Sequence, residues 1–248
     1  MKLQNKKYII LFILFSVALL YIFNNKTLYE KFDETIDDVH DKLQLKHGMF
    51  KSELPEQKMI LKHINNNCKI LELGPNIGRS SLIANYKLED KTQHLCVETV
   101  KDSCDKLKEN RDLNNMKFQI FNGAISNTPL YQMGWNARDT PAKGYSKVNT
   151  KPLNYILEKY KIKFNTIIAD CEGCIIHFLK ENESFLNQIN LIIIEHDFNN
   201  INDLNFYNNL MKKYNFTLID KTLKKEVGLE NWPDGVLSDP IFVSIWKK

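Results

Sequence analysis

The chain has 248 residues, 43% hydrophobic and 26% charged, an ordinary globular composition with enough apolar side chain for one sizeable core. Its net charge of +4 comes from lysines spread along the sequence. No basic stripe interleaves with aromatics, which argues against nucleic acid as a partner. Five cysteines, odd in number and without small-domain spacing, describe no disulfide framework.

Tyr8 to Phe23 reads YIILFILFSVALLYIF, about sixteen apolar residues that span roughly 24 Å as a helix. Asn24, Asn25 and Lys26 follow it where a cleaved signal peptide would carry small residues, so the segment reads as an uncleaved anchor. Lys2, Lys6 and Lys7 precede the run and Lys26 alone follows closely. The positive-inside rule then keeps the N-terminus cytoplasmic and sends the rest of this single-pass chain to a lumen or the exterior. Residues 1–7 are the tail, 8–23 the transmembrane anchor, 24–54 a stem and 55–248 the folded domain.

From Thr27 to Gly48, the apolar residues Leu28, Phe32, Ile36, Val39 and Leu43 recur three or four apart among charges. That spacing predicts an amphipathic helix, either packed on the domain or pairing two chains through residues 28–43. Pro55 opens a second helix whose buried side is Met59, Ile60, Leu61 and Ile64. Beyond it, apolar runs alternate with helical segments. Lys69–Leu73, His94–Val97, Lys117–Phe121, Thr166–Ala169 and Leu191–Ile194 read as strands buried on both faces. The pattern predicts an α/β fold with a doubly wound, mostly parallel sheet. Phe216–Ile219 and Ile241–Trp246 add a C-terminal β-hairpin, with a turn at Trp232-Pro233-Asp234-Gly235.

The first chemical signal is KILELGPNIGRSS, a strand running into Glu72, Gly74, Asn76 and Gly78 before a helix near Arg79. Gly74 permits a sharp turn and a close approach, and Gly78 permits close helix packing. The third glycine of a dinucleotide fingerprint is missing, which disfavours a dehydrogenase, and no Walker-type lysine follows. Glu98, closing the next strand about twenty residues on, is placed to accept hydrogen bonds from ribose hydroxyls.

These residues and those downstream resemble the FkbM family of S-adenosylmethionine-dependent methyltransferases over roughly Ile70 to Ile219. The family's acid-x-Gly-Ala-Asn-x-Gly loop corresponds to Glu72-Leu73-Gly74-Pro75-Asn76-Ile77-Gly78, and its Glu-Pro pair to Glu98-Thr99. Its Asp-x-Glu-Gly segment corresponds to Asp170-Cys171-Glu172-Gly173, and a following strand ends at Glu195 with His196 next. Proline for alanine at 75 and threonine for proline at 99 are departures; Pro75 removes a backbone donor from the loop.

The resemblance implies a Rossmann-like class I methyltransferase that transfers a methyl group from S-adenosylmethionine to a hydroxyl of a glycan or other small-molecule acceptor. Glu72, Gly74, Asn76, Gly78 and Glu98 would hold the cofactor. Asp170, Glu172 and His196, at the mouths of neighbouring strands, are the candidates for the base that removes the hydroxyl proton. Asp170 and Glu172 have a duller alternative as cap and first-turn acid of the next helix. A metal held by Asp170, Glu172 and His196 matches no defined ligand spacing. Cys171 and Cys174 form a C-x-x-C that reads as packing inside the motif, not as a redox dithiol. Asn25, Asn182 and Asn215 open sequons, which suit a lumenal domain. The competing reading is an inactive methyltransferase fold serving as a membrane-tethered binding module.

Overall fold

A computed structural model describes residues 34–229 and 239–248. The apolar run at 8–23, the first part of the stem and the Trp232–Gly235 turn lie outside the described residues. No helix among those described is long and apolar enough to cross a membrane.

Seven strands form the central sheet: β1 (Ile70–Leu73), β2 (His94–Glu98), β3 (Gln119–Asn122), β9 (Thr166–Ala169), β10 (Leu191–Glu195), β11 (Thr217–Leu223) and β12 (Ile241–Lys247). Their order is β11-β12-β10-β9-β1-β2-β3. The pairs β3–β2, β2–β1, β1–β9 and β9–β10 are parallel, whereas β12 lies antiparallel between β10 and β11. This is the mostly parallel Rossmann-like sheet with a C-terminal hairpin that the sequence predicts. Glu98 and Glu195 each close a strand.

Alternation along the strands divides the core in two. Leu71, Leu73, Leu95, Val97, Ile167 and Ile192 share a cluster with α4 (Leu153–Tyr160), α5 (Cys174–Asn182) and α6 (Ile201–Lys213). The opposite face, with Ile70, Glu72, Cys96, Ile168 and Ile193, lies under α1 (Leu54–His63), α2 (Arg79–Lys87) and α3 (Lys101–Leu113). Thus β1, β2, β9 and β10 have helices on both sides, and every residue from Ile70 to Leu73 is buried.

The amphipathic helix predicted over 27–48 ends early: the described helix is Ile36–His40. After it the backbone N–H of Gln44 donates to the side-chain amide oxygen of Asn114, which caps the end of α3, and those of Lys46 and His47 donate to that of Asn110 within it. Those amides replace the i−4 carbonyls a helix would have used. Residues from His40 to Lys248 form one compact unit.

An insertion follows β3. Strands β4 (Ala124–Ile125) and β8 (Thr150–Lys151) pair in parallel. Between them β5 (Tyr131–Met133), β6 (Asn136–Arg138) and β7 (Ser146–Lys147) make a small antiparallel sheet. The stretch 130–146 therefore has strands of its own. It carries an exposed Trp135 and leaves β3 at its C-terminal end.

Candidate functional site

Parallel strands that share a direction end at one edge, and there β1, β2, β9 and β10 deliver Gly74, Glu98, Asp170 and Glu195. Gly74 has φ +78, and its N–H donates to the Val97 carbonyl on β2 (3.1 Å) while Asp170 N–H donates to the Leu73 carbonyl (3.1 Å). A Cβ on Gly74 would overlap the Asp170 carbonyl oxygen. The glycine is therefore needed first for protein against protein, so that β1 and β9 can turn away from each other at contact distance. The close approach that Gly74 permits is thus, first of all, that of β1 to β9.

The loop closes on itself through Gly78 N–H to the Pro75 carbonyl (2.8 Å). Asn76, at φ +51, donates its N–H to Glu98 Oε2 (3.0 Å), and Val100 N–H donates to Glu98 Oε1 (2.8 Å). One carboxylate thus ties the nucleotide-type loop to the end of β2. Glu98 is 4% exposed; burial raises its pKa while the Val100 and Asn76 N–H groups pull it back down. Each oxygen keeps a further lone pair, enough to accept two ribose hydroxyls. Gly78 caps α2 in the left-handed region and sits against Leu107 of α3, the close helix packing the sequence suggested.

Glu72, expected at the cofactor, points elsewhere. It is 2% exposed and its Oε2 lies 2.7 Å from His94 Nε2 and 3.1 Å from Cys96 Sγ. These three ligand-type side chains converge, yet a tetrahedral zinc site holds its nitrogen and oxygen ligands about 3.3 Å apart, given bonds near 2.0 Å. The shorter 2.7 Å approach is that of a hydrogen bond, so the cluster reads as a buried polar network beneath the loop.

The three proposed bases separate. Asp170 lines a cavity beneath the loop together with Glu53, Glu56, Glu72 and Glu195. Burial lifts the Asp170 carboxyl to about 6, and a hydrogen bond from Glu195 holds it below what burial alone would give. Glu195 is driven far up by burial, by the Asp170 charge and by that same bond. Glu195 therefore keeps a proton and donates it to an ionised Asp170, as in other close carboxyl pairs. Glu172 is exposed and occupies the turn at φ +53. His196 is 4% exposed, with Nδ1 2.6 Å from Asp239 Oδ2 and Nε2 2.7 Å from Ser244 Oγ. With Nδ1–H donated to Asp239, Nε2 accepts from the Ser244 hydroxyl, whose oxygen accepts the Trp246 indole N–H (2.8 Å). Both ring nitrogens are thus engaged within the fold, the ring packs edge-on against Phe198 and Tyr207, and His196 is not among the residues lining the cavity beside Asp170.

Cys171 and Cys174 are joined in a disulfide, a correction to their reading as simple packing. The bond clamps the turn carrying Glu172 and Gly173, just beyond Asp170. Sequence reasoning also missed Asp197, whose carboxylate accepts the Cys171 N–H (3.3 Å) and whose pKa rises to about 7 through burial and the Asp170 charge. Glu56 was missed too, although its spacing placed it on the buried face: it lies four residues before Ile60.

No protein-family model and no curated protein matches this chain. Among solved structures it is similar to a ribosomal protein L11 methylase from Lactobacillus delbrueckii subsp. bulgaricus, at 12% identity and TM-score 0.47, covering 82% of this chain and 81% of that one. It is also similar to a precorrin-6y C5,15-methyltransferase from Geobacter metallireducens GS-15, at 7% identity and TM-score 0.49, covering 84% and 94%. A third, at 11% identity and TM-score 0.45 over 77% and 71%, is a putative tRNA (m1A22) methyltransferase from Streptococcus pneumoniae in complex with S-adenosyl-L-methionine.

Proposed function

We propose that this chain is an S-adenosylmethionine-dependent methyltransferase of the FkbM type, acting on a hydroxyl of a glycan or other small molecule. The observation that carries the reading is the link from Asn76 to Glu98 (3.0 Å), made at the edge where Asp170 also meets Gly74. It supports the reading because Glu98, a glycine loop without a Walker-type lysine and the Asp170 carboxylate then share one sheet edge, where open α/β sheets bind ligands. S-adenosylmethionine would supply the methyl group on a sulfonium, a leaving group that needs no acid from the protein. The protein's tasks are then to align the acceptor oxygen and take its proton.

Glu98 would hold the ribose, and the Gly74–Gly78 loop would border the remainder of the cofactor. Asp170, kept ionised by the proton on Glu195, would accept the hydroxyl proton. The Cys171–Cys174 disulfide suits a domain on the far side of a membrane from the cytoplasm, as the anchor at 8–23 implies. Asp170→Asn tests the assignment: turnover falls by about 10²–10⁴ while affinity for S-adenosylhomocysteine, measured by calorimetry, stays near wild type. Turnover near wild type would remove Asp170 as the base. Loss of affinity would make it a cofactor residue instead.

A further inference from the structure

The Cys171–Cys174 disulfide has no part in methyl transfer, and its cysteines differ from the other three. Cys68, Cys96 and Cys104 are free and at most 5% exposed. Cys174 is exposed, whereas Cys171 is half-buried and packs on the core. The disulfide thus offers one cysteine to solvent and keeps the other behind it. As a staple it does little, because two intervening residues close a loop so short that the unfolded chain loses little freedom.

Its surroundings suit sulfur that opens and closes. Cys174 is the first residue of α5, and the free N–H groups of a helix N-terminus favour thiolate over thiol. On the buried side, the Asp197 carboxylate accepts the Cys171 N–H (3.3 Å) and the Gly173 N–H. Burial first, then the Asp170 and Glu172 charges, lift that carboxyl to about 7 against the pull of the Gly173 N–H. A group poised there can take a proton from the inner cysteine or return one.

The turn is also wedged between two parts of the cofactor edge. A Cβ on Gly74 would come within 2.7 Å of Cys171 Cβ, and one on Gly173 within 2.6 Å of the Asn199 side-chain nitrogen, in the segment after β10. Asp170, one residue before Cys171, donates its N–H to the Leu73 carbonyl (3.1 Å).

We propose that Cys171–Cys174 is a thiol–disulfide exchange site that takes a dithiol as co-substrate, is attacked at Cys174, and loosens the cofactor edge when it opens. A thiolate of the dithiol attacks Cys174 Sγ. The new bond between them forms as the Cys171–Cys174 bond breaks, and the electron pair leaves on Cys171, which takes a proton through Asp197. The second thiolate of the dithiol then attacks its own partner sulfur, closing that molecule's disulfide and releasing Cys174, which is protonated from solvent. Two electrons and two protons pass from the dithiol to the pair, and the reverse sequence, with Asp197 taking the Cys171 proton, restores the bond. A monothiol does not complete the reaction, because Cys171 lies three residues away and expels it from Cys174.

The test uses the full chain in detergent with dithiothreitol as the dithiol, followed by acid quench, unfolding, alkylation and mass spectrometry. Of the five cysteines three are free, so three adducts mark the disulfide form and five the reduced form. Reduction of the folded chain should be proportional to dithiothreitol concentration. A rate that levels off at the unfolding rate, or no reduction without denaturant, overturns the proposal. Native alkylation of Cys174 in Cys171→Ser should be at least about tenfold faster than that of Cys171 in Cys174→Ser; the opposite order overturns attack at Cys174. Reoxidation by oxidised dithiothreitol should quicken as pH rises through about 7, and Asp197→Asn, which keeps an oxygen for the Cys171 N–H, should remove that rise. A profile unchanged in Asp197→Asn overturns its role. Hydrogen exchange at the Gly74 and Asp170 N–H groups should be at least about tenfold faster in the reduced chain, and equal exchange in both forms overturns the coupling to the cofactor edge. None of these readouts involves S-adenosylmethionine, so the proposal goes beyond the methyltransferase reading and fails or stands apart from it.

Discussion

Alanine at Gly74 and at Gly78 separates backbone strain from collision, because both glycines have positive φ (+78 and +93) but their missing side chains face different neighbours. Forcing an L-residue into the left-handed region costs about 1–2 kcal/mol at either position. At Gly78 the new Cβ meets the tip of Leu107, which can rotate away, so about 1–2 kcal/mol is the whole effect. At Gly74 the new Cβ overlaps the Asp170 carbonyl oxygen and comes within 2.7 Å of both the Asp170 carbonyl carbon and Cys171 Cβ. Backbone cannot rotate aside. The ends of β1 and β9 must part, straining the Leu73–Asp170 and Gly74–Val97 hydrogen bonds (both 3.1 Å). Overpacking adds about 1–3 kcal/mol and a weakened buried hydrogen bond about 1 kcal/mol. Gly74→Ala should therefore cost about 3–6 kcal/mol against about 1–2 for Gly78→Ala, read from urea midpoints at unchanged slope. Equal losses would refute the reasoning by showing that the β1–β9 junction yields as easily as a leucine side chain.

Glu56 should impose a pH dependence on stability. Its carboxyl rises from 4.5 unfolded to about 8 folded, so its contribution is fully present below 4.5 and is lost as pH climbs through 8; Glu56→Gln should gain about 3–5 kcal/mol on wild type by pH 9 in the absence of ligand. A wild-type chain that instead gains on the variant over that range would mean the folded state prefers the carboxylate. Turnover should rise with pH through about 6 as Asp170 ionises, and a profile flat from 5 to 8 would exclude it as the base. Replacing both Cys171 and Cys174 by serine opens a very short loop and should cost about 2 kcal/mol, with a larger loss of turnover because the turn beyond Asp170 loosens; unchanged turnover would show that helix α5 alone holds the turn. His196→Ala strands Asp239 and Ser244, both at most 5% exposed, and should cost about 3–5 kcal/mol while turnover per folded molecule persists. A turnover loss beyond the unfolded fraction would return His196 to the chemistry.

The sequence by itself determined the sheet. Four- and five-residue apolar runs such as Ile70–Leu73 and Thr166–Ala169, alternating with helical spacing, fit only strands covered on both faces, and each formed. Periodicity is local, and so it was legible. It also placed Gly74, Asn76, Gly78, Glu98 and Asp170 at strand ends, where sheet topology brings them to one edge. What only the tertiary structure decided is which way the polar side chains face and what they meet. Glu72 alternates onto the face shared with His94 and Cys96, partners 22 and 24 residues away. His196 turns to Asp239 and Ser244, 43 and 48 residues on. Glu195 becomes a proton holder because β10 lies beside β9, and Glu56 reaches the cavity because α1 packs over that same face. The stem helix stops at His40, after which asparagines within and capping a helix some 65 residues later in the chain capture its backbone donors. Each of these depends on contacts between residues far apart in sequence, and no window of neighbouring residues carries that information.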